Sequence, residues 1–248
     1  MAPTSITVGV LALQGGVVEH LNVLRKAAKH MTSSSPLKPL EFTFTEVRTA
    51  DQLAQCNALV IPGGESTTMA IVARRRGLLD PLREFVKIQH KPVWGTCAGL
   101  VLLSEQASGT MQGGQELVGG LDVRVLRNRF GSQLQSFIAE LELNFLNDLS
   151  AQDSAGRQGP FKAVFIRAPV VEEILSDGGD AKAKAPVQVL GVYQPKGRQD
   201  RDIVAVRQGN VFGTSFHPEL TDDMRVHIWW LRQVVEAVGH ERLAGNGV

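Results

Sequence analysis

Short apolar runs alternate with amphipathic segments along the first hundred residues, and most runs stop at a glycine-containing turn. This alternation constrains the fold more than any other feature of the chain. Ile6–Leu13, Phe42–Val47, Ala58–Ile61 and Pro92–Gly95 read as strands. Val17–Lys29, Thr67–Arg76, Leu82–Gln89 and Ala98–Glu105 carry apolar residues at helical spacing. A strand-turn-helix repeat of this kind makes a mainly parallel sheet with helices on both faces. Gln14-Gly15-Gly16 and Pro62-Gly63-Gly64 mark the turns. Ser66 stands where a helix N-cap is expected and Gly77 where a helix stops.

The second half changes character. Leu121–Arg127, Ser136–Leu143, Ala163–Val171, Val187–Tyr193, Ile203–Gln208 and Val211–Ser215 read as closely spaced strands, which predicts a mixed or antiparallel extension of the sheet. Asp222–Val238 reads as a closing helix. Thr32–Pro39, Ser150–Pro160 and Ser176–Pro186 lack hydrophobic periodicity and read as surface insertions (32–39, 150–160, 176–186). The expected fold class is therefore α/β: a single domain, 1–248, with a central mostly parallel (mixed) sheet flanked by helices.

Composition removes several function classes. Lys+Arg number 26 and Asp+Glu 25, a net charge of +1, so no global charge draws the chain to nucleic acid or acidic membranes. Two cysteines make neither a disulfide framework nor a four-cysteine metal site. No apolar run approaches the roughly 20 residues that span a bilayer. The N-terminal Met-Ala-Pro-Thr-Ser has no basic region, so no signal peptide is expected and the location reads as cytoplasmic.

Gly95-Thr96-Cys97-Ala98-Gly99 lies between a short strand and an apolar helix. That is the setting of a nucleophile elbow, in which a sharp turn lifts one side chain out at the carboxyl edge of the sheet. The helix N-terminus favours a thiolate and offers N–H groups to an oxyanion. Cys56, ahead of a buried strand, reads as structural. A nucleophilic cysteine needs a base, and the base an orienting group. His20, His30, His90, His227 and His240 read as polar surface residues. His217 differs, because it ends a strand and precedes Pro218-Glu219. Pro218 favours extended backbone at His217, and residues i and i+2 of an extended chain point the same way. Cys97, His217 and Glu219 then form a triad in chain order. Pro62-Gly63-Gly64-Glu65-Ser66 is not a phosphate loop, since no Gly-Lys-Ser/Thr follows. Its glycines instead allow a backbone N–H to face the elbow's edge of the sheet. Arg74-Arg75-Arg76 reads as a solvated helix end.

The strand-Gly-Gly-Glu-Ser, Gly-Thr-Cys-Ala-Gly and Phe-His-Pro-Glu set resembles the class I, triad-type glutamine amidotransferases, with their flavodoxin-like fold. Val10–Gly15 with Glu19-His20, Gly63–Thr68, Arg127–Gly131, Phe165–Pro169 and Thr214–Leu220 resemble, within that class, the glutaminase subunits of pyridoxal 5′-phosphate synthase. The resemblance covers nearly the whole chain. It implies hydrolysis of L-glutamine to L-glutamate and ammonia, with Cys97 as nucleophile and His217 and Glu219 completing the triad. Gly64, Glu65 and Ser66 would hold glutamine, with Gly64 and the Ala98 N–H at the oxyanion hole. Arg127 would grip the carboxylate region, and Ile166 and Arg167 would form the far wall. Gln14 is a candidate for sensing partner contact. No metal or organic cofactor is implied. The implied partner is a (β/α)-barrel synthase subunit, in a hetero-oligomer that takes up the ammonia for vitamin B6 biosynthesis. Two positions depart from the family pattern. Arg129 stands where a small residue is usual, and Gly16 where alanine is common. Two rival readings are another cysteine hydrolase, such as a peptidase-like enzyme, and a non-catalytic subunit that keeps the fold.

Overall fold

The computed structural model describes residues 4–34, 40–109, 115–129, 136–147, 149, 157–175, 185–195, 197 and 199–245. The strands are β1 (Thr4–Leu11), β2 (Leu40–Val47), β3 (Ala58–Ile61), β4 (Val93–Thr96), β5 (Ser104–Ser108), β6 (Leu121–Leu126), β7 (Ser136–Leu141), β8 (Phe161–Ile166), β9 (Val170–Ile174), β10 (Gln188–Tyr193), β11 (Asp202–Gln208) and β12 (Val211–Thr214). The helices are α1 (Val17–Ser34), α2 (Ala50–Ala54), α3 (Ser66–Arg75), α4 (Leu79–Lys87), α5 (Ala98–Leu103) and α6 (Arg225–Gly245).

The main sheet runs β2-β1-β3-β4-β12-β11-β9-β6-β5, with β10 also paired to β11. Its β2-to-β12 half is parallel throughout. The other half is mixed, with antiparallel β12-β11, β11-β9, β11-β10 and β9-β6 pairs and a parallel β5-β6 pair. β7 and β8 form a separate two-stranded sheet. The expected single α/β domain is present, with a mixed sheet between helices.

Residues on the two faces of the inner parallel strands enter two different cores, which explains why β3, β4 and β12 are buried along their whole length while edge strand β2 alternates. On one face Ile6, Val8, Val10, Ala58 and Val60 pack with Leu21 and Leu24 of α1 and Trp230 and Val234 of α6. On the other, Leu11, Leu59 and Ile61 pack with Met69 of α3, Leu82 and Phe85 of α4 and Leu100 of α5. Among the described residues no helix is long and apolar enough to cross a membrane.

Four details depart from the sequence reading. The helix after the elbow stops at Leu103, and Ser104–Ser108 becomes a strand because it pairs along β6. Ala163–Val171 is not one strand: Arg167, at φ 45°, breaks it, so β8 pairs with β7 while β9 joins the main sheet. Helix α2 was not legible from periodicity, being one short turn, though the Thr49/Gln52 capping box announces it. Helix α6 starts at Arg225 rather than Asp222, after a 3₁₀ turn at Pro218–Leu220. Of the expected insertions, Thr32–Ser34 belong to α1, while residues 35–39, 150–156 and 176–184 lie outside the described residues. Arg74 pairs with Glu116 while remaining exposed.

The elbow depends on two glycines whose role is close approach. A Cβ on Gly99 would lie 2.0 Å from the Ile61 carbonyl oxygen, and one on Gly95 2.4 Å from the Gly99 carbonyl carbon. Both obstacles are backbone, so the start of α5 would have to lift from β3. Gly99→Ala is therefore expected to cost about 1–3 kcal/mol, read as a lower denaturant midpoint at unchanged slope. An unchanged midpoint would show that the helix has room to move.

Candidate active site

Strand β4 ends at Thr96, and Cys97 takes φ 50°, ψ −104°, a conformation that L-residues avoid. The neighbouring backbone holds it there. The Cys97 N–H donates to the Thr214 carbonyl on β12 at 2.7 Å. Ala98 opens α5, so its amide is one of the donors that a helix leaves without an internal partner. The Cys97 side chain is nearly buried and faces the Ile166 carbonyl at 3.9 Å.

His217 is fixed by its own amide, which donates to the Val164 carbonyl of β8 at 2.8 Å. Its Nδ1 lies 2.8 Å from Glu219 Oε1, and the ring and the Cys97 side chain both flank Gly63. The extended geometry expected for residues 217–219 is not what achieves this. His217 is extended, but Pro218–Leu220 form a 3₁₀ turn that folds Glu219 back beneath the imidazole. Burial opposes a charge on His217. Hydrogen bonds and charge from Cys97 and Glu219 outweigh it and raise the imidazolium pKa to about 10. Burial likewise opposes the Glu219 carboxylate, but His20 and His217 hold its pKa below the usual carboxylate value.

These groups line a cavity of about 460 Å³ at the carboxyl edge of the parallel strands, where ligands bind in open α/β sheets. Gln14, Gly64, Glu65, Ser66, Ala98, Arg127, Ile166 and Arg167 line the same cavity, so every residue given a candidate site role from the sequence lies there.

Local details alter two of the expected assignments. Glu65, not Ser66, caps α3: its carboxylate accepts from the amides of Thr67 and Thr68 at 3.0 and 2.6 Å. A carboxylate reaches both orphan amides at once, whereas Ser66 is already inside the first turn. The Ser66 hydroxyl instead donates to Gln115 Oε1 at 3.0 Å. Glu65 also pairs with Arg127 at 3.0 Å, so the two ions expected to receive the opposite ends of a zwitterion here neutralise each other. Partial burial opposes the Glu65 charge. Bonds from the Thr68 hydroxyl and amide and from Thr67 outweigh it, bringing the pKa to about 2.

The histidine reading needs a larger correction. His20 and His227 are fully buried rather than on the surface. The Gly15-Gly16 turn brings the start of α1 under the sheet edge, where His20 Nε2 lies 3.4 Å from Glu219 Oε2. Arg129 does not enter the cavity; its Nε donates to buried Asp202 at 3.1 Å and ties the turn after β6 to β11. Gly16 abuts Glu219, since a Cβ there would meet its Oε1 at 3.2 Å.

The SNO glutamine amidotransferase family matches residues 10–236. The chain belongs to this family. The probable pyridoxal 5′-phosphate synthase subunit PDX2 of Arabidopsis thaliana is 45% identical over 93% of this SNO-family chain and 87% of its own length. The pyridoxal 5′-phosphate synthase subunit SNO1 of Saccharomyces cerevisiae is 42% identical, over 92% of each chain. A crystal structure described as a glutamine amidotransferase superposes with TM-score 0.68 at 36% identity, over 92% of the SNO-family chain and 98% of its own. The glutaminase domain of a Trypanosoma brucei CTPS, with bound acivicin, shares the fold at TM-score 0.50 and 13% identity, over 94% of each chain.

Proposed function

We propose that this SNO-family glutamine amidotransferase hydrolyses L-glutamine to L-glutamate and ammonia through Cys97, His217 and Glu219. The observation that carries the reading is one arrangement: an elbow cysteine in reach of an imidazole whose other nitrogen rests on a buried carboxylate. The Cys97 thiolate attacks the side-chain amide carbon, and the oxyanion is received by the N–H groups of Ala98 and Gly64. His217 gives its proton to the amide nitrogen, the C–N bond breaks, ammonia leaves and a γ-glutamyl thioester remains. A water then loses a proton to His217 as it attacks the thioester, the C–S bond breaks, and glutamate departs with the thiolate restored. No cofactor enters these steps.

Arg127, Glu65 and Ser66 orient the α-amino acid end of glutamine, opposite Ile166 and Arg167. The Arg127–Glu65 pair has to open or share its charge when a zwitterion arrives, which adds selectivity for a ligand carrying both signs. Glutamine turnover without peptide or ester hydrolysis supports the reading over a peptidase-like enzyme; the reverse overturns it.

The relatives' names support a partner that consumes the ammonia. In this reading it is the (β/α)-barrel subunit of pyridoxal 5′-phosphate synthase, joined in a cytoplasmic hetero-oligomer. Gln14 and Gly15 suit a coupling role. Gln14 Oε1 accepts from the Glu65 amide at 3.1 Å. A Cβ on Gly15 would fall 1.6 Å from the Gly63 carbonyl oxygen, so the β1 turn rests on the Gly63-Gly64 peptide. A partner that moves this turn moves an oxyanion donor, worth about a hundred- to thousandfold in turnover. Adding the synthase subunit is expected to raise glutamine hydrolysis on that scale, and Gln14→Ala to weaken the rise. Full activity of the lone chain, unchanged on titrating the synthase, would contradict the coupling.

A further inference from the structure

Behind the proposed triad lies a second line of buried polar groups that the chemistry above does not use. Glu219 Oε1 is taken by His217 Nδ1 at 2.8 Å. Glu219 Oε2 is buried and makes no hydrogen bond among the described residues. The nearest donor is His20 Nε2 at 3.4 Å, which also lies 3.1 Å from the Thr96 hydroxyl. His20 Nδ1 lies 3.3 Å from His227 Nε2. His20 and His227 come from α1 and α6, and both meet the Trp94 ring edge-on.

The proton positions follow from counting donors. Burial keeps His20 and His227 neutral, so each carries one ring proton. An unprotonated His20 Nε2 would set a lone pair against the Glu219 carboxylate, so the proton belongs on Nε2. His20 Nδ1 is then an acceptor and takes the N–H of His227 Nε2. His227 Nδ1 is left as an acceptor, and it is the ring nitrogen with no hydrogen-bond partner. An unfilled acceptor costs less than a buried N–H left without a partner. Glu219 thus takes one hydrogen bond, at Oε1 from His217, while the His20 Nε2–H, hydrogen-bonded to the Thr96 hydroxyl at 3.1 Å, also faces Oε2 at 3.4 Å.

We propose that His20, set by His227, is a positioning residue for the triad: its Nε2–H, anchored at the Thr96 hydroxyl, faces the second oxygen of Glu219 and steadies the carboxylate that orients His217. The inference rests on the triad reading. Without a donor at Oε2 the buried carboxylate turns away or takes up a proton, and in either case it supports the His217 imidazolium less. The ionisable groups facing His20 are Glu219, His217, Glu19 and His227, and those facing His217 are Cys97, Glu219 and His20.

The test is the pH dependence of Cys97 alkylation by iodoacetamide in the full chain, read by mass spectrometry of the Cys97 peptide. Glutamine turnover is measured on the same variants. His20→Leu removes the donor, whereas His20→Gln keeps an amide N–H at that reach. His227→Phe keeps the ring contact with Trp94 but frees His20 to hold its proton on Nδ1. In His20→Leu the alkylation midpoint is expected to move up by about one pH unit, and kcat to fall about ten- to a hundredfold at unchanged KM, the span of a hydrogen bond to a charged group. His20→Gln is expected to stay near wild type and His227→Phe to fall between. A His20→Leu or His227→Phe midpoint equal to wild type overturns the proposal, even if the variant is less stable, because a packing role lowers stability without moving the thiol's titration. Wild-type chain that fails to turn over glutamine with its partner overturns the glutaminase reading. The alkylation midpoints still decide the role of His20.

Discussion

Cys97→Ala is expected to lose glutamine hydrolysis by at least about 10⁴-fold while the chain stays folded. The loss follows from removing the atom that carries the thioester. The intact fold follows from the backbone: residue 97 sits at φ 50° whichever L-residue occupies it, so alanine adds no strain that cysteine does not already bear. Cys56→Ala is the matched control. Its thiol lies in the core beneath β3, where burial pushes it up to about 11, and it lines no part of the cavity. Cys56→Ala should therefore keep its turnover. Near-normal hydrolysis by purified Cys97→Ala would remove the basis of the mechanism.

His217→Ala is expected to cost more than Glu219→Gln, by about a hundredfold in kcat. His217 carries protons in both halves of the reaction, whereas Glu219 orients the ring and stabilises its charge. Glu219→Gln also brings an amide with one acceptor oxygen to a place that ring nitrogens of His217 and His20 approach at 2.8 and 3.4 Å. The pH profile separates the two roles. The His217 pKa is raised to about 10 from the ordinary 6.5. Its imidazolium therefore favours the folded state fully below about pH 6.5, and that contribution fades as pH climbs through about 10. The alkaline limb of kcat/KM in wild type should lie near that upper value, where the general acid is lost. In Glu219→Gln one of the two groups that raise the pKa is neutral, so the limb should move down toward neutrality. Equal losses in the two variants, or an alkaline limb that Glu219→Gln leaves in place, would contradict the assignment.

The inner strands β3 and β4 were legible because they are buried on both faces and each runs into a glycine-bearing turn. The elbow pentapeptide is the clearest case: small residues at 95 and 99 announce the close approach of α5 to β3 that the structure displays. The second half was read less well. The break at Arg167 arises from a positive φ at an arginine, which no propensity signals, and from β8 finding its partner in β7 rather than in the main sheet. The sequence brought Cys97, His217 and Glu219 together as candidates, but the route by which Glu219 reaches His217 could not be read, because a 3₁₀ turn replaces the extended segment. Glu65 as cap was masked by Ser66, the stronger capping residue by type, since a side chain's reach is not visible in sequence. His20 and His227 were misplaced for a different reason. Each lies on a helix, His20 between Glu19 and Leu21 and His227 between Val226 and Ile228, and only the packing of α1 and α6 against the sheet edge buries them together. Glu19 beside His20, just after the Gly15-Gly16 turn, was a usable cue.

The central claim is a covalent intermediate at Cys97, and a glutamine analogue with an electrophilic carbon in place of the amide tests it most directly. The chain with its synthase partner is incubated with the analogue, digested, and each peptide is weighed. The account predicts one adduct, on the peptide containing Cys97, prevented by excess glutamine and absent from Cys97→Ala. No adduct on that peptide from a preparation that releases ammonia from glutamine, or an adduct on Cys56 in its place, would contradict it.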